Sequence, residues 1–384
     1  MIKVVPIYGG RPLRQFVNFP VKLFKDVKQF TPGIFEDEMA NLNPRRNPAS
    51  AWCDFKLFLA YEDKQIVGRI CGIINHYANK KYDQKRVCFN RIDMIDNIEV
   101  TKALISAVEE WGFSRGMTEI VGPLGYSDQD KEGLLVEGFQ YENMFATFYH
   151  FPYYMKHLEA LGFVADAVWV ERRITIPKEV DPRFERLSEM VQKKYKVRVK
   201  RFTSKRHLQP YVREVLSLTN RAYDHLYGYV PISENFMDTL AKQFIPLINL
   251  KYLILVVDEN DKLVSFGLSI PSPVFALKKI KGHLFPFGFI RFLRALKKSK
   301  QLDLLLIAIE PELRNSGIIN IVLHESIKSA INDGIEYAET GPQLEDNRQI
   351  ADLWKKFQYF NHKRRICYVK PIAHAVEGKN HENV

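Results

Sequence analysis

An internal repeat constrains the fold of this chain more than any other feature. Residues 55–75, FKLFLAYEDKQIVGRICGIIN, and residues 251–271, KYLILVVDENDKLVSFGLSIP, each place an acidic turn between two apolar strands, and each predicts a β-hairpin. Residues 105–130 and 324–349 likewise share a helical apolar period, a glycine, a short β run and Gly-Pro. Two matches in the same order indicate a tandem duplication, with a single irregular α/β domain as the alternative.

Each repeat predicts the same order of elements: two helices, a β-hairpin with a further strand, a central helix, a strand, then a last helix and strands. The predicted helices are 13–28, 36–42, 99–114 and 153–161 in the first unit, 182–195 after it, and 211–227, 233–244, 317–332 and 347–357 in the second unit. We therefore expect an α/β (α+β) chain of two units, each a mixed, mostly antiparallel sheet flanked by helices. The expected boundaries are 1–177, a basic linker 178–206, 207–375, and a tail 376–384.

The net charge of +11 is unevenly distributed. Residues 272–301 carry eight Lys/Arg and no acid, and residues 178–206 carry eleven Lys/Arg against four acids. Within the first of these, residues 283–300 interleave Phe and Leu with Arg and Lys, and from Phe287 a helix would be apolar on one side and cationic on the other. Peripheral contact with an anionic membrane is one interpretation, and an ordinary packed insertion is the other. Nucleic acid is the least favoured partner, and the absence of a ribonucleoprotein-type aromatic strand argues against RNA.

The four cysteines are scattered, so neither a disulfide framework nor a metal site is predicted. The first residues carry no apolar segment followed by a small-residue cleavage site, and no run of 18 apolar residues occurs. We therefore expect a cytoplasmic protein, with the inner membrane face as a further location if residues 283–300 touch lipid.

A turn between an apolar strand and a helix marks the candidate binding site. The strand LDLLLIAI, residues 302–309, is followed by Arg314, Asn315, Ser316 and Gly317 before the central helix of the second unit. A helix start offers free backbone N–H groups and a partial positive charge, so a turn of small residues there can hold a pyrophosphate. The alternative is a plain surface turn.

The second unit resembles the GCN5-related N-acyltransferase (GNAT) fold, whose turn pattern is Arg/Gln-x-x-Gly-x-Gly/Ala. Arg314 and Gly317 match this pattern, whereas Ile319 stands where Gly or Ala is expected. The resemblance implies that acyl-CoA, either acetyl-CoA or a long-chain form, is the cofactor. It also implies that Asn347 positions the pantetheine arm and that the pyrophosphate lies on the backbone of Arg314, Asn315, Ser316, Gly317, Ile318 and Ile319.

Two departures from the family pattern concern catalysis and the first unit. Trp354 occupies the position of the tyrosine that protonates the leaving thiolate in many members, so that role is vacant or has moved to Tyr359. In the first unit, Asp93, Asp96 and Glu99 crowd the start of the central helix, where acids repel an anion. We infer that the first unit has lost ordinary cofactor binding and serves as a scaffold or supplies part of the acceptor site.

A narrower resemblance covers most of the chain. The stretches GRICGIINHYANKK, AVEEWGFSRGMTEIVGP, FPYYMKHLEALGF and GPQLEDNRQ are similar to a bacterial group of tandem acyltransferase-like proteins that includes ceramide synthases. This implies an N-acyltransferase acting on a small-molecule or lipid amine, in its sharpest form long-chain acyl transfer to a sphingoid base. The alternatives are a small-molecule N-acetyltransferase, a tRNA-dependent aminoacyl or peptidyl transferase, and a non-catalytic ligand-sensing protein.

Amide formation from a thioester needs a base for the amine and an acid for the thiolate. Glu339, with Glu345 as second choice, and His76 are candidate bases, although a solvated carboxylate and a structural histidine are the simpler interpretations. The candidate acceptor contacts are Asp130, Glu137 and Tyr154, for which a capped loop and a core tyrosine are the alternatives.

Overall fold

The computed structural model describes residues 1–128, 130–234, 237, 245 and 248–372. The helix predicted over 233–244 falls almost entirely outside the described residues, as does the tail 376–384. The other predicted helices are present with ends shifted by a few residues. The first helix begins at Gly10 rather than at residue 13, because Pro12 fits the first turn of a helix, where its missing N–H costs nothing.

The elements run in the order that the repeat predicts. The N-terminal half contains β1 (Lys3–Ile7), α1 (Gly10–Leu23), α2 (Phe35–Asn41), β2 (Cys53–Glu62), β3 (Gln65–Asn75), α3 (His76–Lys81), β4 (Arg86–Met94), α4 (Ile98–Phe113), β5 (Glu119–Gly122), β6 (Leu134–Glu137), α5 (Tyr153–Ala160) and β7 (Val164–Thr175). The C-terminal half contains α6 (Pro182–Tyr195), β8 (Arg198–Lys200), α7 (Gln209–Tyr223), β9 (Leu253–Val257), β10 (Leu263–Pro271), α8 (Val274–Ile280), α9 (Gly288–Leu296), β11 (Gln301–Ile309), α10 (Ile319–Asn332), β12 (Tyr337–Thr340), β13 (Gln343–Leu344), α11 (Arg348–Trp354) and β14 (Tyr359–Pro371).

All the strands belong to one mixed sheet, in the order β1-β2-β3-β4-β5-β14-β7-β12-β11-β10-β9-β8, with β6 beside β14 and β13 beside β7. The pairs β4–β5 and β11–β12 are parallel, and the other described pairs are antiparallel, which confirms the predicted fold class. The two halves exchange their last strands, because β14 lies beside β5 and β7 lies beside β12. The exchange joins both halves into one continuous sheet.

The central helix of each half lies directly on its hairpin because glycines on the strand make room. A Cβ at Gly72 in β3 would lie 2.9 Å from the ring of Trp111 in α4, and a Cβ at Gly267 in β10 would overlap Val322 in α10. Close packing of this kind removes large apolar areas from water, which is the main favourable term in folding. The duplicated helices therefore occupy equivalent positions on the sheet.

Residues 178–206 are part of the packed C-terminal half rather than a spacer. Asp181 caps α6, its side chain accepting from the backbone N–H of Arg183 at 2.8 Å. Val191 of α6 packs with Ile318 and Ile321 near the start of α10, and β8 pairs with β9 as an edge strand. The basic charge of this segment is thus displayed on the outer side of a helix that covers α10.

Candidate active site

The strands β11 and β12 diverge, and the divergence creates an opening in the sheet. They pair from Gln301 to Leu304, but β11 continues to Ile309. Beyond Thr340 the chain forms β13, which pairs with β7 instead of β11. The opening therefore begins after Leu304 and leads toward the turn that precedes α10.

The turn before α10 has the conformation that only glycine adopts readily. Gly317 has φ of 82°, a left-handed value that disfavours other residues. The hydroxyl of Ser316 accepts from the N–H of Ile318 at 3.2 Å, and the amide of Asn320 donates to the carbonyl of Gly317 at 2.8 Å. Asn315 is exposed and Gly317 is half-buried, so the tip of the helix is open to solvent. Such a tip suits an anion, because it combines backbone donors with the positive end of the helix dipole.

The cations around this turn differ from those that the sequence predicts. The guanidinium of Arg314 donates to the carbonyl of Ala222 at 3.0 Å, which fixes it against the end of α7. Lys356, just after α11, donates to the side-chain oxygen of Asn320 at 2.9 Å and so brings an ammonium to the first turn of α10. Lys356 could not be singled out from the sequence, because it lies in an ordinary Lys-Lys pair at the end of a helix.

Ile319 does not cover the helix tip. Its side chain packs against the apolar cluster of Ile174, Leu323, Leu353 and Trp354, together with Ile350 of α11. The bulky residue at a position where the family has Gly or Ala thus joins the wall of the groove. The backbone at the tip remains approachable, and the residues present fit a pyrophosphate.

An apolar cleft continues from this cluster under α10. It is narrow, with about 30 Å³ of space for a water-sized molecule behind an open mouth. It is lined by Ile174, Thr175, Ile176, Pro177, Leu302, Leu304, Leu323, Ser326, Ile327, Ala338, Trp354 and Phe357. Since Leu304 marks the closed end of the opening between β11 and β12, the cleft and the opening are contiguous. A cleft of this composition suits an alkyl chain.

Trp354 and Tyr359, the two residues considered for protonation of the leaving thiolate, lie near the side chains of Gln343 and Arg172. The indole N–H of Trp354 donates to Gln343 at 3.0 Å, and the guanidinium of Arg172 donates to the same oxygen at 2.7 Å. Burial lowers the pKa of Arg172, which Tyr359 partly offsets. Tyr359 opens β14 opposite Ile174, on the rim of the cluster described above. Asn347 uses its side-chain oxygen to cap α11, accepting from the N–H of Ile350 at 3.2 Å.

Glu339 lies in a buried charge cluster, where both of its oxygens have partners. One oxygen accepts from Arg173 at 2.5 Å, and the other lies 3.3 Å from both Lys363 and His362. Burial alone would raise its pKa, but the hydrogen bond from His362 and the charges of Lys363 and Arg173 lower it to about 2. This geometry gives Glu339 a charge-balancing role and does not favour its role as a general base.

The same cluster connects the two halves of the sheet. Lys363 of β14 lies 3.2 Å from Glu171 of β7 and 3.3 Å from Glu339 of β12. Arg365 pairs with Glu171 and donates to the carbonyl of Phe148 at 2.8 Å. Each of these cations is therefore held by groups from two separate segments of the chain, and each has the partners that a buried charge requires.

Asp303 was not among the residues predicted from the sequence, and its environment is the most unusual in the site. It is fully buried on β11, directly before Leu304, and the amide of Gln301 donates to one of its oxygens at 2.8 Å. Its second oxygen accepts no well-formed hydrogen bond among the described residues, but the hydroxyl of Ser272 lies close enough to lower its pKa. Burial, with the nearby charge of Glu339, raises its pKa to about 8. Asp303 is the one acid in β11, but nothing in the local sequence shows that its carboxyl group is buried.

The structure does not bring the remaining predicted residues into this site. His76 is exposed, 3.3 Å from Asp54 on the surface of the N-terminal half. Asp130 pairs with the buried Arg91 at 3.3 Å, in the N-terminal half. Glu137 is exposed at the end of β6, and Glu345 pairs with Arg364 at 2.8 Å. These positions favour the structural interpretations.

Tyr154 is a core residue of the N-terminal half. It is fully buried, with its hydroxyl 3.4 Å from Asp93, which in turn pairs with Arg69 at 2.7 Å. Asn97 caps α4 there, accepting from the N–H of Glu99 at 3.0 Å. The start of α4 is thus occupied by the protein's own acids and cap, in line with the expected loss of anion binding in this half.

Two searches of the described residues gave negative findings. Within residues 1–128, 130–234 and 248–372, no group of His, Cys, Asp and Glu is arranged to hold a metal ion. In the same part of the chain, no helix combines the length and apolar character needed to cross a bilayer.

Comparison with known proteins gives distant relatives over nearly the whole chain. The protein YghO of Escherichia coli (strain K12) is 27% identical over 378 residues, 94% of this chain and 93% of the relative. The bacterial ceramide synthase of Caulobacter vibrioides is 27% identical over 303 residues, 77% of each chain. No protein-family model matches the sequence.

The fold has a solved counterpart. A tandem GNAT protein from the clavulanic acid biosynthesis pathway superimposes with a TM-score of 0.59 at 10% identity, covering 97% of this chain and 99% of the other. That protein has the same arrangement of two acyltransferase-like halves, and the match spans both halves of this chain. The chain therefore has the tandem GNAT fold, as the resemblance of its second unit implied.

Proposed function

We propose that this protein is an N-acyltransferase that moves an acyl group from acyl-CoA to an amine. The observation that carries the proposal is the opening between β11 and β12, which leads from Leu304 to the open first turn of α10. The tandem GNAT fold supports it, as does the distant relative named a ceramide synthase. Acyl-CoA supplies a thioester, whose carbonyl carbon is open to attack by an amine.

The chain's own residues provide the binding groups. The backbone at Gly317 and Ile319 and the ammonium of Lys356 face the place that a pyrophosphate would take. Ile319, Leu323 and Trp354 form the apolar side of the same groove and exclude water from it. Exclusion of water favours aminolysis over hydrolysis of a thioester.

We propose Asp303 as the proton acceptor for the amine. As the new N–C bond forms and the C–S bond breaks, the amine must lose one proton, and the departing thiolate must gain one. A carboxylate with a pKa near 8 suits the first task, because a general base works best when its pKa is near the working pH. The buried second oxygen of Asp303 is the acceptor available for that proton. Tyr359, on the rim of the groove, is the candidate donor to the thiolate.

The acyl chain is proposed to be long. The apolar cleft under α10 begins where the opening between the strands ends, so an alkyl chain can follow its apolar lining. An acetyl group has only a methyl group to bury against that lining. Together with the relative named a ceramide synthase, the cleft favours a long-chain acyl group and a sphingoid base as the amine.

The test is mass spectrometry of the products formed from palmitoyl-CoA or acetyl-CoA with sphinganine or a short primary amine. The proposal predicts an N-palmitoyl amide of sphinganine from the wild type, and a 100-fold or larger loss in Asp303→Asn, in the usual range for removal of a general base. If only the short amine is acetylated, the protein is an N-acyltransferase of small substrates, and the long acyl chain and the sphingoid base are rejected. No amide from any pair would overturn the proposed function.

A further inference from the structure

Residues 274–300, comprising α8, α9 and the loop between them, expose an unusual amount of apolar surface. Phe285 and Phe287 are 70% and 72% exposed, and Ile290 is 53% exposed. Phe275, Phe289 and Leu293 are also exposed. Scattered single apolar residues are normal on a protein surface, but five between Phe285 and Leu293, with Phe275 on the preceding helix, are the concentration expected of an interaction site.

The helix α9 is amphipathic, and none of its residues is buried. At 100° per residue, Phe289, Leu293 and Ile290 share one side, and Arg294 and Arg291 follow next to Ile290 around the helix. Phe292 and Leu296 are half-buried. The outer apolar side has no partner among the described residues, so the helix is built to meet something outside the chain.

The charge of the segment identifies that partner. Residues 272–301 contain no acid and the basic residues Lys278, Lys279, Lys281, Arg291, Arg294, Lys297, Lys298 and Lys300. Aromatic and aliphatic side chains beside Lys and Arg are the composition of helices that lie in a membrane interface, with the apolar side among the acyl chains and the cations among the headgroups. Duplex nucleic acid fits this surface less well, because its binding is dominated by the charge of its phosphate backbone. Contact with phosphates would not bury the exposed apolar side chains.

The segment is held in a fixed position on the N-terminal half. Phe35 donates its backbone N–H to the carbonyl of Gly282 at 2.9 Å, and its ring lies 4.5 Å from that of His283. Glu36 accepts from the N–H groups of Leu284 and Phe285 at 3.3 and 3.4 Å. The apolar surface is therefore presented in one orientation, which lowers the entropic cost of docking.

We propose that residues 283–300 dock on the surface of an anionic phospholipid membrane. The apolar side of α9, with Phe285 and Phe287, enters the interface, and the Lys/Arg side contacts the headgroups. Docking of this kind is reversible and peripheral, because a single short helix buries too little apolar surface for permanent insertion. It rests on the exposed surface alone and does not require the proposed function.

Docking also has a consequence for the substrate, and this consequence does rest on the proposed function. Lys281, at the base of the segment, lines an open cavity in the N-terminal half, with about 40 Å³ of space for a water-sized molecule. Phe24, Phe30 and Phe148 form apolar walls of the same cavity, and Lys131 and Glu38 supply charges. A lipid amine leaving the bilayer would thus meet a cavity with both apolar and polar walls.

The test is flotation with vesicles of phosphatidylethanolamine and phosphatidylglycerol, compared with vesicles of phosphatidylcholine. The wild type is expected to float with the anionic vesicles and at least 10-fold less with the neutral ones. The variant Phe287→Ser/Ile290→Ser/Leu293→Ser should lose at least 10-fold of the floating fraction. Its control is Lys193→Gln/Lys194→Gln in α6, which removes basic charge from another helix and should leave most of the flotation intact.

Any of the following results would overturn the proposed docking. It fails if the wild type stays at the bottom with anionic vesicles, or if the triple Ser variant floats as well as the wild type. A competition with a DNA duplex gives a third criterion. The docking also fails if excess DNA displaces the wild type from vesicles and the Ser variant binds DNA and lipid as tightly as the wild type does. Charge alone would then explain the binding to DNA and to lipid. Unchanged melting temperatures of the variants show that the folded protein was compared. Product formation is measured separately, so failure of flotation leaves the proposed function standing.

Discussion

Asp303 and Glu339 lie opposite each other in the parallel pairing of β11 and β12, yet the pKa values of their carboxyl groups are shifted in opposite directions. Burial raises the pKa of Asp303 to about 8, and the neighbouring charge of Glu339 adds to that effect. Burial would raise that of Glu339 too, but His362, Lys363 and Arg173 outweigh it and lower its pKa to about 2. Two acids whose environments separate their pKa values are a common sign of divided roles in a catalytic site.

The rate of acyl transfer should therefore depend on pH through Asp303. If its carboxylate accepts the proton of the amine, kcat/KM should rise with pH and level off above about 8. The measurement is a pH profile of kcat/KM between pH 6 and 10 for wild type and Asp303→Asn. The Asn variant should lose the rise along with most of the rate. An unchanged profile in the variant would assign the proton transfer to another group.

The same residue should make stability depend on pH. The folded-state pKa of Asp303, about 8, lies above its unfolded value of 3.8, so the folded state binds its proton more tightly. The stability that this proton contributes is fully present below about pH 4 and is lost as pH rises through about 8. Asp303→Asn should thus melt close to the wild type at pH 4 and several degrees higher at pH 9. A variant that melts lower than wild type at pH 9 would contradict this.

The buried charge cluster should be costly to break. Glu339→Gln or Lys363→Met leaves a buried ion without its partner, and such changes typically destabilise by about 3–5 kcal/mol. The measurement is the free energy of unfolding in urea. The control is Asp352→Asn, which breaks an exposed pair with Lys355 and should leave the unfolding midpoint unchanged. Equal effects of the buried and exposed changes would remove the structural role assigned to Glu339.

The cleft under α10 should select for acyl chain length. Ser326 lines this cleft, so Ser326→Phe would fill space that a long chain needs. We expect KM for palmitoyl-CoA to rise 10-fold or more, with KM for acetyl-CoA nearly unchanged. Ser326→Ala, which removes only a hydroxyl bonded to the carbonyl of Val322, is the control and should keep the wild-type preference. Equal losses with both substrates would separate the cleft from the acyl chain.

The duplication made most of the fold predictable, because both hairpins and both central helices left periodic signals. The exchange of β7 and β14 was not predictable. The alternation of apolar and polar residues along a strand shows which face of the strand is buried, but it does not show which neighbouring strand it will pair with. The burial of His324 was not predictable either: its ring lies near Phe184 of α6, whose packing on α10 no local pattern indicates.

The site was predicted in part. The turn at Gly317 stood out because a strand, a flexible residue and a helix follow one another in the sequence. Asp303 and Lys356 were missed because their environments depend on distant residues, Glu339 for the first and Asn320 for the second. Glu339 was a candidate base because it ends a strand just before Gly341-Pro342. Its salt bridges with Arg173 of β7 and Lys363 of β14 depend on strand pairing that the local sequence does not show.

The central claim is that the first turn of α10 holds the pyrophosphate of a coenzyme A derivative, and calorimetric titration with coenzyme A itself tests it most directly. The variant is Gly317→Val, and the matched control is Gly334→Val, which imposes a similar backbone strain (φ of 65°) just beyond the other end of the same helix. We expect one site in the wild type, an affinity within about 3-fold of it in the control, and at least 10-fold weaker binding in Gly317→Val, since loss of one good anion contact costs about 1.4 kcal/mol or more. Equal affinity in all three proteins, or no binding to the wild type, would contradict it.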